Sequence, residues 1–111
     1  MLIKHKDFVS EIELNDIDTA SQIGQALPIE ASAQIWQEEV YFEIPVTREQ
    51  EKGVERVKQG DVAYWPPGRC FCVFFGRTQP VSAVTVVGRV ESNLERFREV
   101  RGGDKLLLDK D

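Results

Sequence analysis

The sequence is poor in the side chains that hold metals or carry redox chemistry: its 111 residues include two cysteines, one histidine and one methionine. Cys70 and Cys72 stand two apart, so on one strand they project to the same face with geometry unsuited to a disulfide. They read as buried thiols, which fits a reducing cytoplasm. His5, the sole imidazole, reads as an exposed histidine at a strand end, and with the two cysteines it falls short of a zinc ligand set. No metal and no cofactor is expected. A basic surplus is also missing: 14 Lys and Arg against 19 Asp and Glu leave a formal net charge of −5 and a pI near 4.9. That balance argues against nucleic acid or an anionic membrane as partner. The sequence shows no apolar run of membrane-spanning length, no signal-peptide pattern, no repeats, no low-complexity tracts and no linkers. One cytoplasmic domain covering residues 1–111 is the expectation.

What the chain does have, 41% hydrophobic and 30% charged residues, is ordinary for a globular protein and sufficient for one core. Aromatic content peaks and charge nearly vanishes between Gly60 and Gly76. Val62 to Trp65 is β-prone, Pro66-Pro67-Gly68 forbids a helix or an uninterrupted ladder, and a second strand starts near Arg69. From Cys70 to Phe75 both alternating faces are apolar, with Cys70, Cys72 and Phe74 on one and Phe71, Val73 and Phe75 on the other. Such a strand needs cover on both sides. In an antiparallel protein that means a barrel interior on one face and a helix or loop on the other.

The remaining elements follow in order. Met1–His5 and Phe8–Leu14 read as a hairpin turning at Lys6-Asp7, with Phe8, Ser10, Ile12 and Leu14 facing inward. Asn15 or Asp16 is the expected cap of a short helix that buries Ala20, Ile23 and Leu27, closes one barrel mouth and ends at Pro28. Ile29–Trp36 alternates as one half-buried strand, Gln37-Glu38 reverses it, and Val40–Ile44 returns with Val40, Phe42 and Ile44 on one face. Thr47–Gln59 is polar and reads as either a short helix or an extended, exposed and mobile excursion. Val84–Val90 is a β-branched strand in which Gly88 relieves crowding or marks a bulge. Ser92-Asn93-Leu94-Glu95 has capping-box spacing ahead of a helix burying Leu94 and Phe97, with Arg96, Arg98 and Arg101 on a solvated face. Gly102-Gly103 turns into a last strand, Lys105–Leu108, whose leucines or an open barrel edge could pair with a second copy to give a homodimer.

Leu27-Pro28-Ile29, Glu39-Val40-Tyr41-Phe42, Gly60-Asp61-Val62-Ala63-Tyr64-Trp65-Pro66-Pro67-Gly68, Phe74-Phe75-Gly76, Thr78 and Val84–Arg89 together resemble the small prokaryotic cyclophilin-like proteins, long catalogued as a domain of unknown function. The resemblance spans nearly the whole chain. It implies a mainly β fold, a closed antiparallel barrel with short capping helices. Two departures stand out: Gln37, where the family usually has glycine, and a short Thr78–Val84 connection, where relatives often carry a longer proline-containing loop.

The fold alone does not license prolyl isomerase activity. Cyclophilins proper hold proline in an apolar pocket and donate from an arginine in a Phe-His-Arg-Val type strand, supported by a glutamine in a Phe-Met-x-Gln-Gly-Gly strand. Laid on this chain, Tyr64-Trp65-Pro66 falls on the first run and Phe74 or Phe75 near the glutamine, so neither polar group is kept; Arg69 and Arg89 are the available substitutes. The leading expectation is a non-catalytic module binding a small molecule or a proline-containing peptide. Its aromatic-rimmed cleft is expected to comprise Tyr41, Tyr64, Trp65, Phe75 and Thr78, with Glu39 and Arg69 as polar contributors. A weak isomerase is the alternative. No serine or cysteine has an activation motif for hydrolysis, and Glu38, Glu39 and Asp61 are the carboxylates available for acid/base work.

Overall fold

The computed structural model describes residues 1–111. Its nine strands are β1 (Leu2–Lys4), β2 (Val9–Leu14), β3 (Ile29–Ser32), β4 (Gln34–Trp36), β5 (Glu39–Glu43), β6 (Asp61–Trp65), β7 (Cys70–Phe74), β8 (Thr85–Val90) and β9 (Lys105–Asp109). One α-helix, α1 (Asp18–Ala26), and two short 3-10 turns, Pro66–Gly68 and Leu94–Glu99, complete it. The strands form one antiparallel sheet in the order β3-β9-β1-β2-β8-β6-β7-β5-β4. Its two edge strands, β3 and β4, are consecutive in the chain, so the sheet curls until its edges meet at Ala33. The barrel is therefore nearly closed rather than closed, with a seam where β3 and β4 part.

The predicted strand Ile29–Trp36 breaks at that seam. Ala33 donates its N–H to the Asp104 carbonyl and accepts from Gly103 N–H, both at 2.8 Å, which ends its pairing beside β9. The chain then swings away to pair β4 with β5, Trp36 opposite Glu39. Alternation holds through buried Ala33 and fails at Ile35, which lies 38% exposed at the barrel mouth. The Gln37-Glu38 reversal forms as expected. Gln37 sits at φ 54°, a left-handed conformation that favours glycine.

Between β6 and β5 lies β7, buried on both faces. Phe71, Val73 and Phe75 point into the barrel with Val40, Phe42, Val62 and Tyr64, and Phe42 stacks on Phe71 at 5.5 Å between ring centroids. Cys70, Cys72 and Phe74 point outward into a second cluster with Ala63 and Val84, covered in part by Tyr41, Val57 and Trp65. Phe71 and Phe74 are both completely buried, one on each side. Each such side chain contributes roughly 1.5–3 kcal/mol, so the outer cover matters as much per residue as the inner core.

That cover comes from the polar 47–59 segment and the 77–84 connection. The former is the extended excursion, tied by a lone bridge between Val54 and Val84 and by Gln50, whose side-chain amide donates to the Ala83 carbonyl and accepts from the Thr85 hydroxyl. Glu51 within it replaces the expected Asn15 or Asp16 cap: its carboxylate accepts from the N–H groups of Asp18 and Thr19 and from the Thr19 hydroxyl. No local side chain caps α1. The capping box at Ser92 likewise does not form. Ser92 and Asn93 serve β2 instead, through Glu11 N–H to Ser92 Oγ and Asn93 Nδ2 to the Val9 carbonyl, and only a 3-10 turn follows.

Two further expectations are corrected. His5 is buried, its Nδ1 accepting from Asp7 N–H and its Nε2 therefore donating to Asp104 at 2.8 Å, because the β9 turn folds over the end of β1. The leucines of β9 are spent inside the sheet: the strand lies between β3 and β1, and Leu106 and Leu108 are buried. No helix is long and apolar enough to cross a membrane.

Gly88 marks a register shift against Val62 and Ala63, and a Cβ there would lie 2.1 Å from the Glu13 carbonyl oxygen. Gly88→Ala should destabilise the fold by at least about 2 kcal/mol. Gly24, helical and with only Leu14 Cδ1 at 3.8 Å, should gain roughly 0.5 kcal/mol on Gly24→Ala. Urea unfolding of both variants checks the opposite signs.

Candidate functional site

On the outer face of β4, β5, β7 and β6, strand parity brings Trp36, Glu39, Tyr41, Cys72 and Trp65 to one side. Register then gathers them: Trp36 faces Glu39, Tyr41 faces Cys72, Cys72 faces Ala63 and Cys70 faces Trp65. Small Cys72 lies between the large rings of Tyr41 and Trp65, leaving a groove of about 180 Å³. Its far wall is Pro80 and Val81 of the short 77–84 connection.

The walls are held in place from outside. The Trp65 Nε1–H donates to Ser82 Oγ at 2.8 Å, and its six-membered ring lies over Gly68, where a Cβ would come within 2.7 Å of Cζ3. The Pro66–Gly68 turn thus supplies the space in which Trp65 rests. Gln79 exchanges two side-chain hydrogen bonds with the Val57 backbone, so both ends of the Pro80-Val81 wall are tethered. The β4–β5 turn is fixed by Glu38 N–H to Thr78 Oγ1 at 2.7 Å and by Arg77 N–H to the Glu38 carboxylate at 2.8 Å.

Glu39 is the unusual member. It is 7% exposed and joins none of the seven ion pairs of the fold. Burial pushes its carboxyl above the ordinary carboxylate range, only partly opposed by a hydrogen bond from the Cys72 thiol. Burial, followed by the charge of Glu39, pushes the Cys72 thiol far up in turn. Cys70 moves the same way through burial and the charges of Glu43 and Glu39. Both cysteines are free and stay protonated at neutral pH, which makes them poor nucleophiles.

Of the seven residues expected at the site, Glu39, Tyr41 and Trp65 converge here. Tyr64 does not: it is fully buried inside the barrel, its hydroxyl donating to the Val46 carbonyl at 2.6 Å and accepting from Arg48 N–H at 3.2 Å. Phe75 shares the inward parity and lies beneath Arg98, 5.2 Å from its ring centroid. Thr78 is buried as the clamp on Glu38. Arg69 lines a different cavity, an open, polar hollow of about 610 Å³ along the seam, where it pairs with Glu43. That hollow is larger than the aromatic groove, but Glu30, Glu43, Arg69 and Lys105 mix both signs along it, so it selects for no one charge. Trp36, Cys72, Pro80 and Val81 were not anticipated. Parity alone places Trp36 and Cys72 with Glu39 and Tyr41, whereas Pro80 and Val81 arrive by a loop with no such signal.

The nine strands define a nearly closed antiparallel barrel. The sequence matches the cyclophilin-like family over residues 1–109. The chain belongs to that family. It is similar to the solution structure of the hypothetical protein AF2241 from Archaeoglobus fulgidus, with 35% identity and a TM-score of 0.85, covering 99% of this chain and 92% of that one. No curated protein matches.

A carboxyl raised by burial favours its protonated form in the fold. The stability this gives is complete below the unfolded-chain value of about 4.5 and is lost as pH rises through the raised folded value, so ionised Glu39 costs stability at neutral pH. Glu39→Gln should raise the melting temperature at neutral pH, with the gain shrinking toward nothing in acid below that value. A lower melting temperature at neutral pH would mean that the carboxylate has a stabilising partner.

Proposed function

We propose that this cyclophilin-like chain is a binding module whose outer-face groove holds a small organic group, either a free small molecule or one side chain presented by a peptide, proline included. The observation that carries the reading is the convergence of Trp36, Tyr41 and Trp65 on one concavity beside a buried carboxylate. Aromatic walls supply area at little entropic cost, and one convergent polar group supplies orientation. At about 180 Å³ the groove is below the range for drug-sized ligands, which favours a compact head group over a whole cofactor.

Isomerase chemistry ranks behind binding. It needs an arginine donating toward the prolyl amide beside the apolar pocket. Arg69 pairs with Glu43 at the seam, and Arg89 lies in register with Glu13 and Asp61 on β8, so neither lines the groove.

The reading is tested by a thermal-shift screen of small organic molecules and proline-containing peptides, with tryptophan fluorescence recorded alongside. A ligand should raise the melting temperature by mass action and change the emission, and both effects should vanish in folded Trp65→Ala. Protease-coupled cleavage of a proline peptide should proceed at the spontaneous rate. A shift that survives Trp65→Ala would move binding elsewhere, and a rate above background would restore the isomerase reading.

A further inference from the structure

Resting on the reading of the groove as a ligand site, we infer that its occupant is a small organic cation, a tertiary or quaternary ammonium head group, gathered by Trp36, Tyr41 and Trp65 and neutralised by Glu39. Three aromatic residues and one carboxylate line a hollow that contains no cationic side chain of its own. The carboxylate is 7% exposed and outside every ion pair of the fold, so it faces the groove without a countercharge.

The energetics discriminate among occupants. A neutral apolar group would remove the remaining water from Glu39, so the carboxylate would either stay charged without compensation or have to take up a proton, and both cost binding energy at neutral pH. An anion would add repulsion. A cation supplies the missing charge and gains from the ring quadrupoles, by about 2 kcal/mol or more at a desolvated site. Alkylated ammonium suits such walls better than a primary amine, because its methyl groups are apolar and carry few hydrogen-bond donors for which the groove would need acceptors. The fixed setting of Trp65, between Ser82 and Gly68, removes ordering cost that binding would otherwise meet. The net charge of −5 adds a general attraction for cations.

The test compares choline with its uncharged carbon isostere, 3,3-dimethylbutan-1-ol, at matched ionic strength. Titrations into the folded, nitrogen-labelled protein are followed by the indole N–H signals of Trp36 and Trp65. Choline should shift both signals and bind at least about tenfold more tightly than the isostere. Glu39→Gln should abolish most of that preference, weakening choline and, with no charge left to desolvate, strengthening the isostere. Trp65→Phe should retain more choline binding than Trp65→Leu. Equal binding of both probes would overturn the cation inference while leaving the groove a ligand site. Saturation of neither probe up to tens of millimolar, with the thermal-shift screen positive for another compound, would likewise reject the cation alone. Failure of both experiments would remove the ligand site itself.

Discussion

The structure turns on the two-sided burial of β7. Cys-Phe-Cys-Val-Phe has no face that can meet water, and all five residues are buried. The inner face is satisfied by the barrel. The outer face must be covered by chain that belongs to no strand, and this accounts for the long polar excursion after β5 and the tethered connection before β8. Gln50, Glu51 and Gln79 use side-chain hydrogen bonds to hold down segments that have little sheet pairing of their own. The cover ends between Tyr41 and Trp65, and the groove lies at its margin.

A groove in this position differs from a gap in packing because its rim is fixed. Trp65 is held at its nitrogen and under its ring, the opposite wall at Gln79 and Ser82, and the adjoining hairpin by Thr78 and Arg77. Against that rigid surround the ionised form of Glu39 is the costly one, since no cationic side chain offsets its burial. A buried carboxylate with no cationic partner, inside a concavity with fixed walls, is the observation on which the proposed ligand site rests.

Much of the fold was legible because β strands betray themselves by parity. The inward set of β2, β5 and β7 and the two-faced burial of β7 followed from alternation alone. The site was less legible, although the same rule bears on it. Tyr64 and Trp65 are adjacent on one strand and face opposite sides, so they cannot share a cleft, and Phe75 is out of phase with Cys72 for the same reason. Other differences lie beyond local pattern. Glu51 caps a helix more than 30 positions away, Asp104 covers His5 from the far end of the chain, and Ala33 turns a corner that its alternating neighbours conceal. Those contacts depend on closure of the barrel, which no window of sequence contains.

The most direct test of the account is to map which protons of the protein approach a bound ammonium group. With tetramethylammonium present in excess, intermolecular nuclear Overhauser effects should run from its methyl protons to the rings of Trp36, Tyr41 and Trp65, and none should reach Tyr64 inside the barrel. Effects confined to the seam beside Arg69, to the surface around Ile35 and Phe75, or spread evenly over exposed residues would contradict it.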